Sequence, residues 1–380
     1  MLLVCGDFMK EDVIKLITLV IKGENKKLDI DFSSVFKILK FHHLEIFLYY
    51  AYKLGIIEVS DDDLVKLKKE YNINLYKTST QEEELKSIKN SLKENDIMYL
   101  PLKGSVIRGI YPSIDLRTMA DIDILVKQED LKRVSDIMKS LGYKNTSHGG
   151  NHDVYIKMPF MNVEIHRAMI DESYEMSSYY NDIWEKVNFD LDEPYLSHED
   201  VYIYIVSHAA KHYLSGGTGI RSVLDVYLFN QKHELDFDYI DLEFKKLNIS
   251  NFANNIKDLG YAWFRGDKLT VSLIKMEEYI FRSGVYGVTS HQLAKEFNDE
   301  NDSKFKVFIK KAFPSFKNMK KMFPSLKYLF IFLPFYYLYR GIRGLVRGNV
   351  QTSMKTLKNI NKSDIENKKE IVKDMSDNEN

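Results

Sequence analysis

Residues 100–126, LPLKGSVIRGIYPSIDLRTMADIDILV, hold the side chains best suited to chemistry. Asp121 and Asp123 stand one residue apart in an apolar run that continues through Ile122, Ile124, Leu125 and Val126. A carboxylate is costly to bury unless a cation meets it. On a strand, side chains two apart share a face, so both aspartates point the same way, and Glu164 and His166 of VEIHR do the same further on. If these two strands are neighbours, three carboxylates converge. They repel one another strongly at low dielectric, and divalent cations are the usual remedy. Hard oxygen donors with no cysteine point to Mg²⁺ or Mn²⁺ rather than zinc. Upstream, Gly104-Ser105 follows a strand and opens a helix, where backbone N–H groups, a hydroxyl and the helix dipole make an anion site. Lys103 and Arg117 add charge there. The pattern reads as a metal pair brought in with a phosphate substrate. The chain has no G-x-x-x-x-G-K-[ST] loop and no G-x-G-x-x-G turn.

The elements that must hold these groups follow from apolar spacing. Residues 97–102 and 120–126 read as strands, 104–111 as helical, 128–143 as a helix with a Gly stop, and 153–158 with 162–170 as a hairpin across Pro159. Strand, helix, strand, helix, strand, strand is a small α/β unit. Before it, DVIKLITLVIKG, SSVFKILKFHHLEIFLYYAYKLG and the segment from Asp61 to Asn95 carry three-and-four spacing and read as helices. The pair His42–His43 is expected to be ordinary helix surface or core. After residue 191 helices return, the first opened by Ser197 and Asp200 as a variant capping box. The expected organisation is helical over 1–94, an α/β core over 95–190 and a helical domain over 191–300. A basic, aromatic region over 301–360 follows, then a disordered tail over 361–380, which has little to bury.

With LKGS, DIDILV and VEIH in this order, the chain resembles the DNA polymerase β-type nucleotidyltransferase superfamily. It is most similar to the bacterial branch known only as nucleotidyltransferase family proteins, over residues 95–168 and out to about 230. The resemblance implies an α+β fold, a small mixed-sheet nucleotidyltransferase core flanked by N- and C-terminal helical regions. It makes Gly104 and Ser105 the triphosphate cradle and gives Asp121 and Asp123 the metals that bridge the phosphates. Glu164 would complete the second metal site and help deprotonate the acceptor hydroxyl, in a two-metal in-line displacement. The branch also has a basic KH helix followed by R…D, which implies that Lys211, His212, Arg221 and Asp225 line the far wall and touch nucleotide or acceptor. Two features depart from the wider pattern. The gap from Ser105 to Asp121 is longer than in many members, and the third acid is Glu where Asp is common.

Bulk properties bound the alternatives. The 380 residues carry a net charge of −1, which argues against binding bulk nucleic acid and against tRNA tailing. Cys5 is the only cysteine, so a reducing cytoplasm is expected, and the N-terminus lacks the basic region of a signal peptide. His208 and His212 have zinc-pair spacing, but Ala209 stands where a metalloprotease has Glu, so that reading is set aside. The SGGTG stretch after them can be a lid or a plain loop. Residues 310–347 combine Lys and Arg with Phe, Tyr and Leu. They can lie peripherally on an anionic membrane, dock on a partner, or pack on their own domain. The expected substrates are a nucleoside triphosphate and a small or carrier-linked acceptor. A relative that binds nucleotide or a partner without turnover is the alternative.

Overall fold

The computed structural model describes residues 7–189, 191–284 and, further on, 303–316, 319–320, 323, 326 and 330–346. The expected tail at 361–380, and Lys317, Lys321, Lys327 and Arg347 of the basic region, lie outside the described residues. Four helices come first: α1 (Asp7–Lys22), α2 (Phe32–Phe41), α3 (Ile46–Lys53) and α4 (Asp61–Glu94). The expected single helix across the histidine pair is two. His43 takes φ +54°, and the ring of His42 is buried, accepting the Ile220 N–H at Nδ1 while Nε2 lies 3.3 Å from the Phe281 carbonyl oxygen. Those tertiary contacts override local helix propensity. α4 runs unbroken for 34 residues, started by Ser60, whose hydroxyl accepts the Asp63 N–H.

A five-stranded mixed sheet follows, formed by β1 (Tyr99–Pro101), β2 (Ile122–Val126), β3 (Lys144–Ser147), β4 (His152–Lys157) and β5 (Met161–His166) in the spatial order β1-β2-β5-β4-β3. β2 and β5 are parallel and all other pairs antiparallel. The 159 turn does join a hairpin, as its sequence predicts. β3 was not foreseen: Lys-Asn-Thr-Ser is exposed at every position on the sheet edge, so it has no apolar alternation to betray it. Between strands sit the short α5 (Gly104–Ile107) and α6 (Leu131–Ser140).

Both faces of β2 are covered, so all five of its residues are buried. Ile122, Ile124 and Val126 pack with Val163 and Ile165 of β5 against Leu85, Ile88 and Leu92 of α4 and Val134 and Met138 of α6. The other face meets the helical body made by α1–α3 with α7 (His198–Ser215), α8 (Ile220–Lys232), α9 (Phe237–Leu247), α10 (Ser250–Arg265) and α11 (Val271–Ser283). Helices from both ends of the chain share one apolar core there, with Leu16, Phe47, Ile205, Phe252 and Ile256 among its members. Two further helices, α12 (Lys304–Ala312) and α13 (Leu333–Val346), close the described chain. No helix among the described residues is long and apolar enough to cross a membrane.

Candidate active site

The register of β2 and β5 builds the site. Asp123 lies opposite Glu164 and Leu125 opposite His166; β4 then places His152 opposite His166. Because side chains alternate across a strand, Asp123, Glu164, His166 and His152 all project from the face turned away from α4. Asp121, just before β2, shares that side. The sequence expectation that the two acidic strands are neighbours therefore holds in the geometry.

Asp123 is 3% exposed, and two cationic groups meet it. Lys103 Nζ and His166 Nε2 each lie 2.6 Å from its Oδ1. Burial alone would raise the pKa of Asp123, but Lys103 and His166 outweigh it and hold the carboxyl well below the usual range. The same contacts raise Lys103 and His166 against the opposing effect of burial. Asp121 has no such partner among the described residues. Burial and the nearby charges of Asp123 and Glu164 push it up to about 6, with Lys103 pulling the other way. Glu164, whose Oε2 lies 3.3 Å from His166 Nε2, is held below its ordinary value despite its burial. Crowded acids of which one remains uncompensated suit a hard divalent cation with oxygen donors. Asp121, Asp123 and Glu164 fit the expected Mg²⁺ or Mn²⁺.

Lys103 adopts φ +50°, ψ −120°, a region that favours glycine and costs a side-chain-bearing residue on the order of 1–3 kcal/mol. The strained turn brings its ammonium back over β2. Gly104 follows in close contact, for a Cβ there would overlap Met119 Sδ and come within 2.9 Å of Arg117 Nη1. The phosphate-cradle expectation changes in detail. α5 is only four residues long, and the Ser105 N–H bonds the Leu102 carbonyl instead of standing free. The Ser105 hydroxyl, by contrast, is buried without a hydrogen-bond partner among the described residues, a polar group that suits a ligand oxygen.

α7 carries His208, Lys211 and His212 within one turn of each other. The ammonium of Lys211 makes no ion pair among the described residues, and burial lowers its pKa to about 8, helped by Lys103 and opposed by Asp123, Asp171 and Glu164. His212 Nε2 lies 3.2 Å from His208 Nε2, and burial pushes His212 down to about 3. The SGGTG connector is buried, and Gly217, at φ +121°, abuts Ser283, so this stretch is a packed link.

Arg117 and Asp225 meet each other. Arg117 donates through Nε and Nη2 to the two Asp225 oxygens, both at 2.8 Å, and Tyr111 Oη adds a 2.6 Å bond to Oδ1. This buried fork ties the segment before β2 to α8. Arg221 Nη2 donates to the His43 carbonyl and Thr118 Oγ1. Sequence reasoning passed over His152, which becomes visible only through the β4–β5 register, and the pairing of Lys103 with Asp123, which needs a positive φ that the residue type does not advertise.

Residues 29–265, more than half of the chain, match the family described as uncharacterised nucleotidyltransferases. The chain belongs to that family. Among solved structures it is similar to the antibiotic-resistance factor ANT(2'')-Ia, known from a solution structure, at 14% identity over 44% of this chain and 91% of that one, with a TM-score of 0.34. No curated protein matches. The family's span takes in the sheet, α4 and the helices through α10, so everything that forms the acidic site lies within it.

Proposed function

We propose that this nucleotidyltransferase family member moves a nucleoside monophosphate from a nucleoside triphosphate to a hydroxyl or phosphate acceptor, small or carrier-linked. The observation that carries the reading is the pairing of Asp123 with Glu164 on adjacent parallel strands, with Asp121 on the same side. Asp121, Asp123 and Glu164 would hold the divalent metal, which would supply charge neutralisation for the phosphates. Lys103 and Lys211 would face the departing pyrophosphate, and Ser105 would donate to a phosphate oxygen. In the transfer, an acceptor oxygen bonds to the α-phosphorus and the bond to pyrophosphate breaks. Glu164 would help take the acceptor's proton.

The test is a thermal-shift series with ATP, GTP, CTP and UTP, with and without Mg²⁺, followed by assay of pyrophosphate release. A ligand that binds only the folded state at a hundredfold excess over Kd stabilises by about 2.7 kcal/mol. A Mg²⁺-dependent shift with one nucleotide, lost in Asp121→Asn, supports the reading; no shift with any nucleotide counts against it. The second reading, a binding protein without turnover, draws on one observation: Lys103 and His166 already neutralise Asp123. Nucleotide binding without pyrophosphate release in the presence of candidate acceptors would favour it.

A membrane-borne acceptor would suit the C-terminal region. Ile331, Phe335, Leu338 and Ile342 are exposed at helical spacing on and just before α13, and residues 303–363 contain no acid. Flotation with anionic vesicles, absent with neutral ones, is the expected outcome.

A further inference from the structure

We propose that His152, Glu164 and His166 form a site for a borderline divalent metal, Zn²⁺ in character, beside the aspartate pair. Its existence stands on its own geometry; only its use, as the second metal position, rests on the transfer reading. Their donor atoms all lie within 4.8 Å of one another. Glu164 Oε2 is 3.3 Å from His166 Nε2 and 3.5 Å from His152 Nε2. Metal–ligand bonds of about 2.1 Å in tetrahedral geometry put neighbouring donors roughly 3.4 Å apart, so two edges of the polyhedron are already at length.

The donors are fixed by sheet register and do not belong to a mobile surface cluster. His152 and His166 are opposite each other on the β4–β5 ladder, with Glu164 two residues from His166 on the same face. Asn151 Nδ2 lies 3.4 Å from His166 Nδ1 and donates to the Ala168 carbonyl at 3.1 Å, which fixes the position of the ring on its far side. Two imidazoles and one carboxylate favour borderline metals over Mg²⁺. The side chain of His152 is 36% exposed, which gives an ion a route in and leaves room for further ligands. His166 Nε2 also touches Asp123 Oδ1. A bound ion takes the place of the proton shared there, the proton leaves to solvent, and Asp123 stands at the edge of the coordination sphere.

The test uses the full chain, stripped of metal and titrated with Co²⁺ alone, followed by visible absorption and calorimetry. We expect one equivalent with the visible bands of four- or five-coordinate cobalt. Binding should weaken at least about tenfold in His152→Ala and persist in Asp121→Asn. Glu164→Gln, which keeps the side chain's size, is the second variant and should likewise lose the bands. A pale six-coordinate spectrum, or bands that survive both His152→Ala and Glu164→Gln, would overturn the site. Cobalt bands in a protein that gives no nucleotide shift would sustain the site and count against the transfer reading, so the two fail separately.

Discussion

Asp121 carries a charge that the fold does little to stabilise. Lys103 and His166 contact Asp123, while Asp121 endures burial and the fields of two neighbouring acids. Asp121→Asn should therefore raise metal-free stability by roughly 1 kcal/mol in denaturant titration, while abolishing the Mg²⁺-dependent nucleotide shift. A variant that loses both stability and nucleotide binding would mean that Asp121 supports the fold. Glu164, by contrast, is already held by an imidazole. The two acids differ because His166 stands two residues beyond Glu164 on β5, whereas two residues beyond Asp121 stands another acid, Asp123.

At the scale of elements, the fork between Arg117 and Asp225 joins the segment before β2 to α8. Removing one partner of a buried ion pair costs about 3–5 kcal/mol because the other is left without compensation. Arg117→Met and Asp225→Leu should each destabilise by that order. The double variant should recover part of the loss, with a coupling energy of about 2–3 kcal/mol in a double-mutant cycle. If Arg117 instead serves mainly to hold phosphate, Arg117→Met would leave stability intact and impair nucleotide binding alone. The sequence marked both residues as polar and close to chemistry, yet it held no sign that they answer each other across 108 positions. Apolar alternation made β2 and β5 legible, and helical spacing made α7 and α8 so. Edge strand β3 lacked any alternation, and the break at His42–His43 comes from contacts with α8 and α11. His152 needed a register that no local pattern encodes.

For the molecule as a whole, acid should be destabilising. His42 takes up its proton near pH 6.5 when unfolded but only near 3 in its buried position, and His212 behaves alike. His208 is lowered well below its ordinary value, again by burial. Between these limits the unfolded chain binds more protons, so stability falls as pH drops below 6.5, by up to about 1.4 kcal/mol per unit for each group. Asp121, raised to about 6, acts in the opposite sense and offsets one of the three. Melting temperatures between pH 7 and 5 should decline; a flat or rising profile would contradict the burial of these imidazoles.

The long α4 carries a consequence for how the chain can be divided. It extends roughly 51 Å at 1.5 Å per residue. Its first half, through Leu67, belongs to the helical body, and its second, through Leu85, Ile88 and Leu92, roofs the sheet. A fragment cut at residue 95 would keep every acid of the site and still strip Ile122, Ile124 and Val126 of the Leu85, Ile88 and Leu92 cover, leaving α6 alone on that side. Such a piece, residues 95–190, should show strand signal without a cooperative melt, whereas one beginning at Asp61 should melt with a sharper transition. The smallest autonomous catalytic unit would thus begin more than thirty residues upstream of the first strand, at a serine-capped helix that contributes no reactive group.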